Sequence, residues 1–266
     1  TTRWSEAEAK EAIETFEQLE ILVPADRPRA PADMVALAPA APLSSLVLHV
    51  AHDCNLRCGY CYADFGRYGD KFGMMTEEMA LEHVDHFFDQ LAERQSVYLT
   101  FFGGEPLMNM PVVYAAHARA KERAEKEGRK IAYGITTNAT LLTPEVVDFL
   151  HRERFTTTVS IDGPPDINDR LRPVEGGGGS YEKIMERVRA TGIDAVARVT
   201  LTKKATDIAR IVRHLIEAGF KEVGVSPVAA GDHRFDLGKE ELAKVLEGMR
   251  ALADDFVAWA KQGKIF

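Results

Sequence analysis

Three cysteines, the only ones in the chain, stand within the run Cys54-Asn55-Leu56-Arg57-Cys58-Gly59-Tyr60-Cys61. Three residues separate the first pair and two separate the second. Thiolate sulfur is a soft ligand that favours zinc, copper(I) and iron–sulfur clusters, so this spacing predicts a metal centre at Cys54, Cys58 and Cys61. A structural zinc site or an ordinary four-iron cluster takes four protein ligands, usually from two cysteine pairs. Three thiolates on a four-iron cluster would leave one iron free to bind a small molecule.

The same cysteines allow other interpretations. His49 or His52 could complete a partial zinc site, the thiols could be inert and buried, or two of them could form a redox pair. Disulfides do not suit the pattern, because an odd and tightly spaced set cannot pair completely. The cysteines alone therefore favour an open-site iron–sulfur centre and leave a zinc site as the alternative.

Apolar strands alternate with amphipathic helices from Leu46 onward, a pattern typical of βα units around a parallel sheet. The six predicted strands are Leu46–Val50, Val97–Phe102, Ile131–Thr136, Thr156–Ile161, Ala195–Leu201 and Glu222–Ser226. Periodicity does not distinguish an open doubly wound sheet from an incomplete barrel. In both folds ligands bind at the carboxyl ends of the strands, and the cysteines follow the first strand.

Polar residues mark the starts of the predicted helices. Thr76, Thr143 and Ser180 can cap the helices that follow them, and Asp207–Ala218 forms a further helix that ends before Gly219. The helix after Thr76 is expected to bury Met79, Val84, Phe87 and Leu91. Each helix is long enough to connect two parallel strands.

Two segments flank this alternating core. A capping box at Ser5 and Glu8 predicts an N-terminal helix, and the Pro- and Ala-rich stretch from Pro24 to Pro42 predicts a linker. A long C-terminal helix has one apolar side that needs a partner, formed by Leu242, Val245, Leu246, Met249, Leu252, Phe256 and Trp259. We therefore divide the chain into an N-terminal helix and linker at 1–42, a core at 43–230 and a C-terminal helix at 231–266.

Composition and charge limit the partners. The chain has 266 residues, of which 45% are hydrophobic and 28% charged, as in an ordinary globular protein. No apolar run reaches membrane-spanning length and no signal sequence opens the chain, so we expect a cytoplasmic protein without a membrane partner. The formal net charge of -8 argues against a nucleic-acid partner.

Small and polar residues also follow the later strands. The second strand ends in Phe102-Gly103-Gly104-Glu105-Pro106, where the glycines expose backbone groups and Glu105 adds an acceptor for an amine. Thr137-Asn138 follows the third strand, and Ser160-Ile161-Asp162-Gly163 ends the fourth. Such side chains can hydrogen-bond a nucleoside or amino acid, although each alone is more often a turn or a cap. Arg172 could clamp a carboxylate, although a solvated surface arginine is commoner.

Together these motifs resemble the radical S-adenosylmethionine (radical SAM) enzymes. The Cys54-x-x-x-Cys58-x-Tyr60-Cys61 signature and the three strand-end motifs match that family in order, from Leu46 to about Val228. The resemblance implies an α/β fold, a partial (βα)6 TIM-type barrel with an N-terminal helical arm and a C-terminal bridging helix. It also implies a [4Fe-4S] cluster on the three cysteines, with S-adenosyl-L-methionine on the unique iron. Reductive cleavage of that molecule would release a 5'-deoxyadenosyl radical that abstracts a substrate hydrogen.

The resemblance also implies roles for individual residues. Gly103 to Glu105 would bind the methionyl amine, with the Glu105 side chain taking part, and Tyr60 would lie near the adenine mainly through its backbone. Ser160 and Asp162 would lie near the ribose or carboxylate, and Arg172 or Arg198 would pair with the carboxylate. The implied cofactor-binding residues are Tyr60, Gly103, Gly104, Glu105, Asn138, Ser160, Asp162, Arg172 and Arg198.

Within the family, the stretches around Cys54, Gly103 and Ser160 look most like the peptide- and protein-modifying (SPASM-type) branch. That branch includes six-cysteine peptide maturases, the quinohemoprotein amine dehydrogenase maturase and anaerobic sulfatase maturases. It implies a ribosomally made peptide or small protein substrate, thioether or other cross-link formation, and a low-potential electron donor of flavodoxin or ferredoxin type. Residues 1–42 would be the remnant of a leader-binding domain, and 231–266 would lead to a missing extension with auxiliary clusters. A small-molecule or RNA substrate, and a zinc-binding interaction module, remain the alternatives.

Overall fold

The computed structural model describes residues 43–69, 72–92, 96–229 and 234–261, together with residues 10, 13 and 14. Contacts divide the chain into two units, Thr1–Ala41 and Pro42–Phe266. In the first unit Lys10, Ile13 and Glu14 are helical and exposed. The predicted capping box at Ser5 and Glu8 and the predicted linker at Pro24–Pro42 lie outside the described residues.

A seven-stranded sheet forms the centre of the second unit, in the order β2-β1-β3-β4-β5-β6-β7. The strands are β1 (Ser45–His52), β2 (Gly73–Met74), β3 (Val97–Gly103), β4 (Ile131–Thr137), β5 (Phe155–Ser160), β6 (Val196–Leu201) and β7 (Glu222–Pro227). All neighbours are parallel except β2, which pairs antiparallel with β1. The six predicted strands are confirmed to within one or two residues, whereas β2 is too short to produce a period-two pattern.

Strand order decides between the two folds that periodicity left open. A doubly wound sheet reverses its strand order at a switch point, and the six parallel strands here follow one another in chain order. Sequential addition of strands is the order of a TIM-type barrel. Since β2 and β7 lie at opposite ends of the described sheet and do not pair with each other, the barrel is open, as the partial (βα)6 prediction requires.

Helices connect these strands. They are α1 (Glu77–Asp89), α2 (Met110–Lys126), α3 (Pro144–Arg152), α4 (Pro165–Leu171), α5 (Tyr181–Thr191), α6 (Ile208–Glu217) and α7 (Lys239–Lys261), with a 3-10 turn at Pro106–Asn109. Thr76 and Thr143 cap α1 and α3 as predicted, each accepting a hydrogen bond from a backbone N–H of the first turn. Asp207 caps α6 in the same way.

The predicted capping by Ser180 is wrong. Ser180 stands at the start of α5, but its hydroxyl donates to the carbonyl oxygen of Arg172 at 2.6 Å. Asp169 takes the capping role, because its Oδ1 accepts from the N–H groups of Ser180 and Tyr181 at 2.9 and 2.8 Å. The serine thus fastens α5 to the segment after α4.

The core lies between the sheet and the helices. The prediction that Met79 belongs to this core is wrong. Helix α1 buries Ala80, Val84, Phe87 and Phe88, which lie on one face of the helix. Met79 precedes Ala80 by about 100° of helical rotation, so it faces outward and is exposed. Leu91 lies beyond the end of α1 and is half-buried.

Helix α7 is the longest described helix, and little of its apolar side is buried. Of the seven residues predicted to line that side only Val245 is buried, while Leu242, Leu246, Met249 and Phe256 are exposed. An ion pair between Arg213 of α6 and Asp255, at 2.6 Å, helps to hold α7 in place. None of the described helices is long and apolar enough to span a bilayer.

Candidate active site

The loop that carries the three cysteines follows β1 directly and is held at several backbone positions. Arg57 N–H donates to Pro173 O at 2.8 Å, and Gly59 N–H donates to Leu171 O at 3.0 Å. Cys61 N–H closes a turn on Cys58 O at 3.1 Å. Residues from the end of α4 onward therefore set the position of the loop, which sequence patterns around the cysteines did not indicate.

The three half-buried thiols line a cavity of about 610 Å³. Cavities of this size are usual for cofactors and small molecules. Because the strands are parallel, their carboxyl ends meet at the edge where the cysteine loop lies, and strand-end residues complete the wall. Of the nine residues predicted to bind the cofactor, seven line the cavity: Tyr60, Gly103, Gly104, Asn138, Ser160, Arg172 and Arg198.

Gly103 and Gly104 let the end of β3 approach the start of the cysteine loop. A Cβ atom on Gly104 would lie 2.0 Å from the carbonyl oxygen of Asp53, and one on Gly103 would lie 2.4 Å from that of Ala51. Gly104 N–H donates to Ala51 O at 2.7 Å, and Glu105 N–H donates to Asp53 O at 2.9 Å. Both N–H groups are thus used inside the protein, beside Cys54.

Glu105 lies behind the cavity wall and is fully buried. Its Oε1 accepts from Leu107 N–H at 3.0 Å and from the Thr137 hydroxyl at 2.6 Å, and its Oε2 accepts from Asn138 N–H at 2.6 Å. Burial raises the pKa of this carboxyl, while the three hydrogen bonds oppose the shift. In this arrangement the carboxylate holds the end of β4, and its predicted contact with a ligand amine stays a prediction.

Asn138 connects the end of β4 to the cysteine loop. Its Nδ2 donates to Asn55 Oδ1 at 2.8 Å and lies 3.7 Å from Cys54 Sγ. Its Oδ1 accepts from the hydroxyl of Thr140 at 2.7 Å, and that hydroxyl accepts from Asn55 Nδ2 at 2.7 Å. This closed set of bonds fixes the Asn138 amide toward the sulfur. Sequence reasoning missed Asn55 and Thr140, although Asn55 stands inside the cysteine motif.

A buried polar network lies on the other side of the loop. The Tyr60 hydroxyl donates to Asp162 Oδ2 at 2.6 Å, and Asp162 Oδ1 accepts from Thr200 N–H at 3.0 Å. Arg172 Nη1 donates to the Tyr60 oxygen at 2.7 Å. Tyr60 lines the cavity whereas Asp162 does not, and the predicted ligand contacts of both residues stay predictions.

Electrostatics in this network follow from burial. Burial raises the pKa of Asp162 and of Tyr60, and the nearby Arg172 guanidinium opposes both shifts. Burial lowers the pKa of Arg172, but the adjacent Cys58, Tyr60 and Asp162 raise it well above its ordinary value, so this side chain stays charged. Its Nε is buried without a hydrogen-bond partner, on a side chain that lines the cavity.

The donor set fits a soft metal centre. Burial raises the pKa of the Cys54 thiol to about 12 and also raises that of Cys58, so metal binding must displace their protons. No three His, Cys, Asp or Glu side chains within the described ranges surround one ion-sized position. The fit therefore rests on three observations: three soft sulfur donors from one loop, the cavity beside them, and the buried Nε of Arg172 that has no hydrogen-bond partner.

Ser160 and Arg198 are neighbours across β5 and β6 at the cavity wall. Arg198 is exposed and donates from Nη2 to Ser226 Oγ at 2.6 Å. Arg172 is buried, lies beside Cys58 and keeps an unpaired donor. Of the two predicted carboxylate partners, Arg172 is thus the one with a buried N–H that has no hydrogen-bond partner.

Comparison with known proteins shows what the chain is similar to. The family model described as the radical SAM superfamily matches residues 48–201. A serine-type anaerobic sulfatase-maturating enzyme of Bacteroides thetaiotaomicron is 34% identical over 156 residues, which cover 56% of this chain and 36% of that enzyme. The chain thus spans well under two thirds of the length of this curated relative.

Solved structures share the fold. The structure of anSMEcpe with bound AdoMet has a TM-score of 0.71 at 20% identity, covering 84% of this chain and 63% of that one. The structure of Streptococcus suis SuiB bound to precursor peptide SuiA has a TM-score of 0.58 at 18% identity, covering 94% of this chain and 50% of that one.

Proposed function

Because this chain belongs to the radical SAM superfamily, enzymes whose cofactors are a [4Fe-4S] cluster and S-adenosyl-L-methionine, we propose that Cys54, Cys58 and Cys61 hold the cluster. Membership of an enzyme superfamily decides against a non-catalytic zinc module. The observation that carries the proposal is that the three thiols share one cavity with the strand-end residues. When bound, the cluster supplies the electron that cleaves S-adenosyl-L-methionine and generates a 5'-deoxyadenosyl radical.

The remaining wall residues would bind and orient the methionyl part of the cosubstrate. Arg172 would pair with its carboxylate, since an unpaired buried donor costs about 1–3 kcal/mol and a carboxylate would satisfy it. Ser160, at the same wall, offers a hydroxyl to the same group. The backbone of Gly103 and Gly104 would lie against the amine, and Asn138 would hold the geometry around Cys54.

Glu105 and Asp162 would act through other residues. Glu105 would position Asn138 and Thr137, and Asp162 would position Tyr60 and so Arg172. A buried carboxylate with several donors is well suited to hold a neighbour in one geometry. Precise positioning of the reacting molecules is the main contribution of the protein in enzymes whose cofactor carries out the chemistry.

We propose that the substrate is the side chain of a ribosomally made peptide or small protein, from which hydrogen is abstracted during thioether or other cross-link formation. The sulfatase-maturating relative supports a protein substrate. The cavity lining supports it too, because it includes Tyr62, Phe65, Val196 and Arg198. Aromatic and arginine side chains are enriched at surfaces that bind proteins and peptides.

The first test is anaerobic reconstitution with iron and sulfide, followed by dithionite and S-adenosyl-L-methionine. The proposal predicts 5'-deoxyadenosine formation that is lost in Cys58→Ala and strongly reduced in Arg172→Lys. Arg187→Lys, an exposed arginine on α5, is the matched control and should behave like the wild type. Reductant-dependent cleavage that persists in Cys58→Ala would contradict the cluster assignment.

The substrate class needs a separate test. Candidate cysteine-containing peptides, with serine-containing versions as controls, are incubated with the reconstituted enzyme and analysed by mass spectrometry. A cysteine-dependent loss of two hydrogen atoms supports a thioether or other cross-link. Turnover of tRNA or of a small molecule, with peptides unchanged, would support the alternative substrate class instead.

A further inference from the structure

The segment that follows the three cysteines turns back onto Cys54. Residues 62–69, here named the return segment, form a series of turns directly after the cysteine loop. A Cβ atom on Gly66 would lie 2.6 Å from Gly104 Cα and 3.0 Å from Cys54 Cβ. The return segment therefore packs directly against the first cysteine and against the residue that follows β3.

The backbone of the return segment is strained. Asp64, Phe65 and Tyr68 have φ values of 47°, 57° and 52°, in the left-handed region that favours glycine. Tyr68 N–H donates to Ala63 O at 2.8 Å, which closes the turn that contains all three residues. Strain of this kind persists only where the surrounding structure imposes it, and it is commonest at functional sites. The strain therefore directs attention to what Tyr68 does beside the cysteines.

Aromatic rings hold the Tyr68 side chain. Its ring centroid lies 5.2 Å from that of His49 and 4.7 Å from that of His52, both on β1. The Tyr62 ring stands edge-on to it, with a centroid distance of 6.3 Å. Contacts with three rings fix the Tyr68 side chain in one position.

The Tyr68 hydroxyl is buried without a hydrogen-bond partner. In the part of the chain that the structure describes, three other side chains carry such an atom: His117, Tyr133 and Arg172. A buried donor without an acceptor is unfavourable, so each one needs an explanation. For Tyr68 the explanation lies in the neighbouring sulfurs.

Two cysteines act on this hydroxyl. Burial raises the pKa of Tyr68. Tyr62, Cys61 and Cys54 raise the same pKa further through their charged forms. The hydroxyl thus keeps its proton and remains a donor beside the sulfurs.

Cysteine sulfur becomes a better acceptor once a metal centre has displaced its proton. A thiol is a weak acceptor, whereas a thiolate is charged, and hydrogen bonds to charged acceptors are shorter and stronger. Cys54 Sγ already accepts from Leu56 N–H at 3.4 Å, and Asn138 Nδ2 lies 3.7 Å from it. Hydrogen bonds to the sulfurs are among the factors that set the reduction potential of an iron–sulfur cluster.

We propose that the Tyr68 hydroxyl donates a hydrogen bond to the sulfur of Cys61 or Cys54 in the cluster-bound enzyme and raises the reduction potential of the cluster. This inference rests on the proposed function, because it needs a cluster on the three cysteines. On reduction the cluster gains one electron from an external reductant, with no bond formed or broken. The reduced cluster carries one more negative charge, so the hydrogen bond stabilises the reduced form more than the oxidised form.

The first test is a redox titration of the anaerobically reconstituted chain with titanium(III) citrate, a one-electron reductant, followed by electron paramagnetic resonance. Tyr68→Phe should lower the equilibrium constant for reduction about tenfold, a shift of about 59 mV to lower potential. Tyr133→Phe is the matched control, because that hydroxyl is also buried and unpartnered. Tyr133 packs on His117 near the amino end of β4, whereas the cysteines lie at the carboxyl ends of the strands. Equal potentials in the wild type and Tyr68→Phe, or an equal shift in Tyr133→Phe, would overturn the proposal.

Electron–nuclear double resonance of the reduced cluster detects the hydrogen bond directly. Leu56 N–H and Asn138 Nδ2 also lie near Cys54 Sγ, so the wild type should show several couplings to protons that exchange in D2O. Tyr68→Phe should lose one of these couplings and keep the others. An unchanged set of couplings in Tyr68→Phe would contradict the hydrogen bond.

A stability measurement separates tuning of the cluster from a structural role. Tyr68→Phe removes a buried donor that has no partner in the chain, so urea denaturation of the cluster-free protein should show no loss of stability. Iron bound per chain after reconstitution should also be normal. A fall in either value would show a structural role and overturn the proposal. Failure of the proposed function would be seen separately, as a wild-type chain that binds no cluster or does not cleave S-adenosyl-L-methionine.

Discussion

Arg172 Nη1 donates a hydrogen bond to the hydroxyl oxygen of Tyr60 at 2.7 Å, and this bond joins the segment after α4 to the cysteine loop. The Tyr60 hydroxyl in turn donates a hydrogen bond to Asp162 Oδ2 at 2.6 Å. Three side chains from distant parts of the chain therefore share one buried network. Among the fully buried side-chain atoms of these three residues, Arg172 Nε is the one without a hydrogen-bond partner. This unpaired donor on a charged, cavity-lining residue is why we propose Arg172 as the carboxylate partner.

Tyr60→Phe should weaken both the fold and the cosubstrate site. It removes the hydroxyl that Arg172 and Asp162 share and leaves buried polar groups unpaired, which should cost about 1–3 kcal/mol in the free energy of unfolding. Urea denaturation measures that loss, and calorimetry should show weaker binding of S-adenosyl-L-methionine at normal iron content. Tyr98→Phe, at an exposed tyrosine, is the control and should change neither value. Unchanged stability and affinity in Tyr60→Phe would contradict the network.

Glu105→Gln distinguishes a positioning role from direct binding. The amide would present a donor where the carboxylate accepts three hydrogen bonds, so stability should fall by about 1–3 kcal/mol together with cosubstrate affinity. Urea denaturation and calorimetry on the same samples provide the comparison. Glu186→Gln, at an exposed position on α5, controls for the loss of one charge. A loss of affinity at full stability would instead support a direct contact between Glu105 and the amine.

Gly104→Ala should disturb the cysteine loop through steric contact. The added Cβ would lie 2.0 Å from the backbone oxygen of Asp53, so β1 and β3 must separate, at a cost of about 1–3 kcal/mol or more. The iron bound per chain after reconstitution should fall with it. Gly128→Ala is an informative control, because its Cβ meets open space and only its φ of +65° is unfavourable. That control should lose about 1 kcal/mol and retain full iron content; normal iron in Gly104→Ala would contradict the close approach.

His117 should make stability depend on pH. Burial lowers its pKa, and Glu153 only partly opposes the shift, with Lys121 and Arg152 reinforcing it. The unfolded chain therefore binds a proton more readily below its ordinary pKa of about 6.5. The free energy of unfolding should fall as the pH drops through that value, and level off below the folded pKa.

Urea denaturation at several pH values between neutral and mildly acidic conditions measures this dependence. His117→Gln cannot take up the proton and should show a shallower fall over the same range. His83→Gln, at an exposed histidine of α1, should keep the wild-type slope. An equal slope in His117→Gln would show that this histidine is not the group responsible.

Local patterns in the sequence were sufficient to predict the strands and most of the helix starts. A strand or a helix start depends mainly on a few neighbouring residues. Short apolar runs such as Val97–Phe102 therefore identify strands directly, and capping residues such as Thr143 identify helix starts. The spacing of Cys54, Cys58 and Cys61 likewise predicts a site with soft sulfur ligands without any knowledge of the fold. Met79 and Ser180 were assigned wrongly because the orientation of a helix and the choice of its capping residue depend on what packs against it.

The sequence by itself determined the three sulfur donors, the six parallel strands and the strand ends where chemistry should occur. Tertiary structure decided that the sheet is an open barrel, because strand order depends on pairing between distant segments. It also decided that Glu105 and Asp162 lie behind the cavity wall while Asn138 and Arg172 line it. These placements depend on hydrogen bonds between residues far apart in the chain, such as Asp162 with Tyr60, and a linear motif carries no information about which acceptor a buried donor finds.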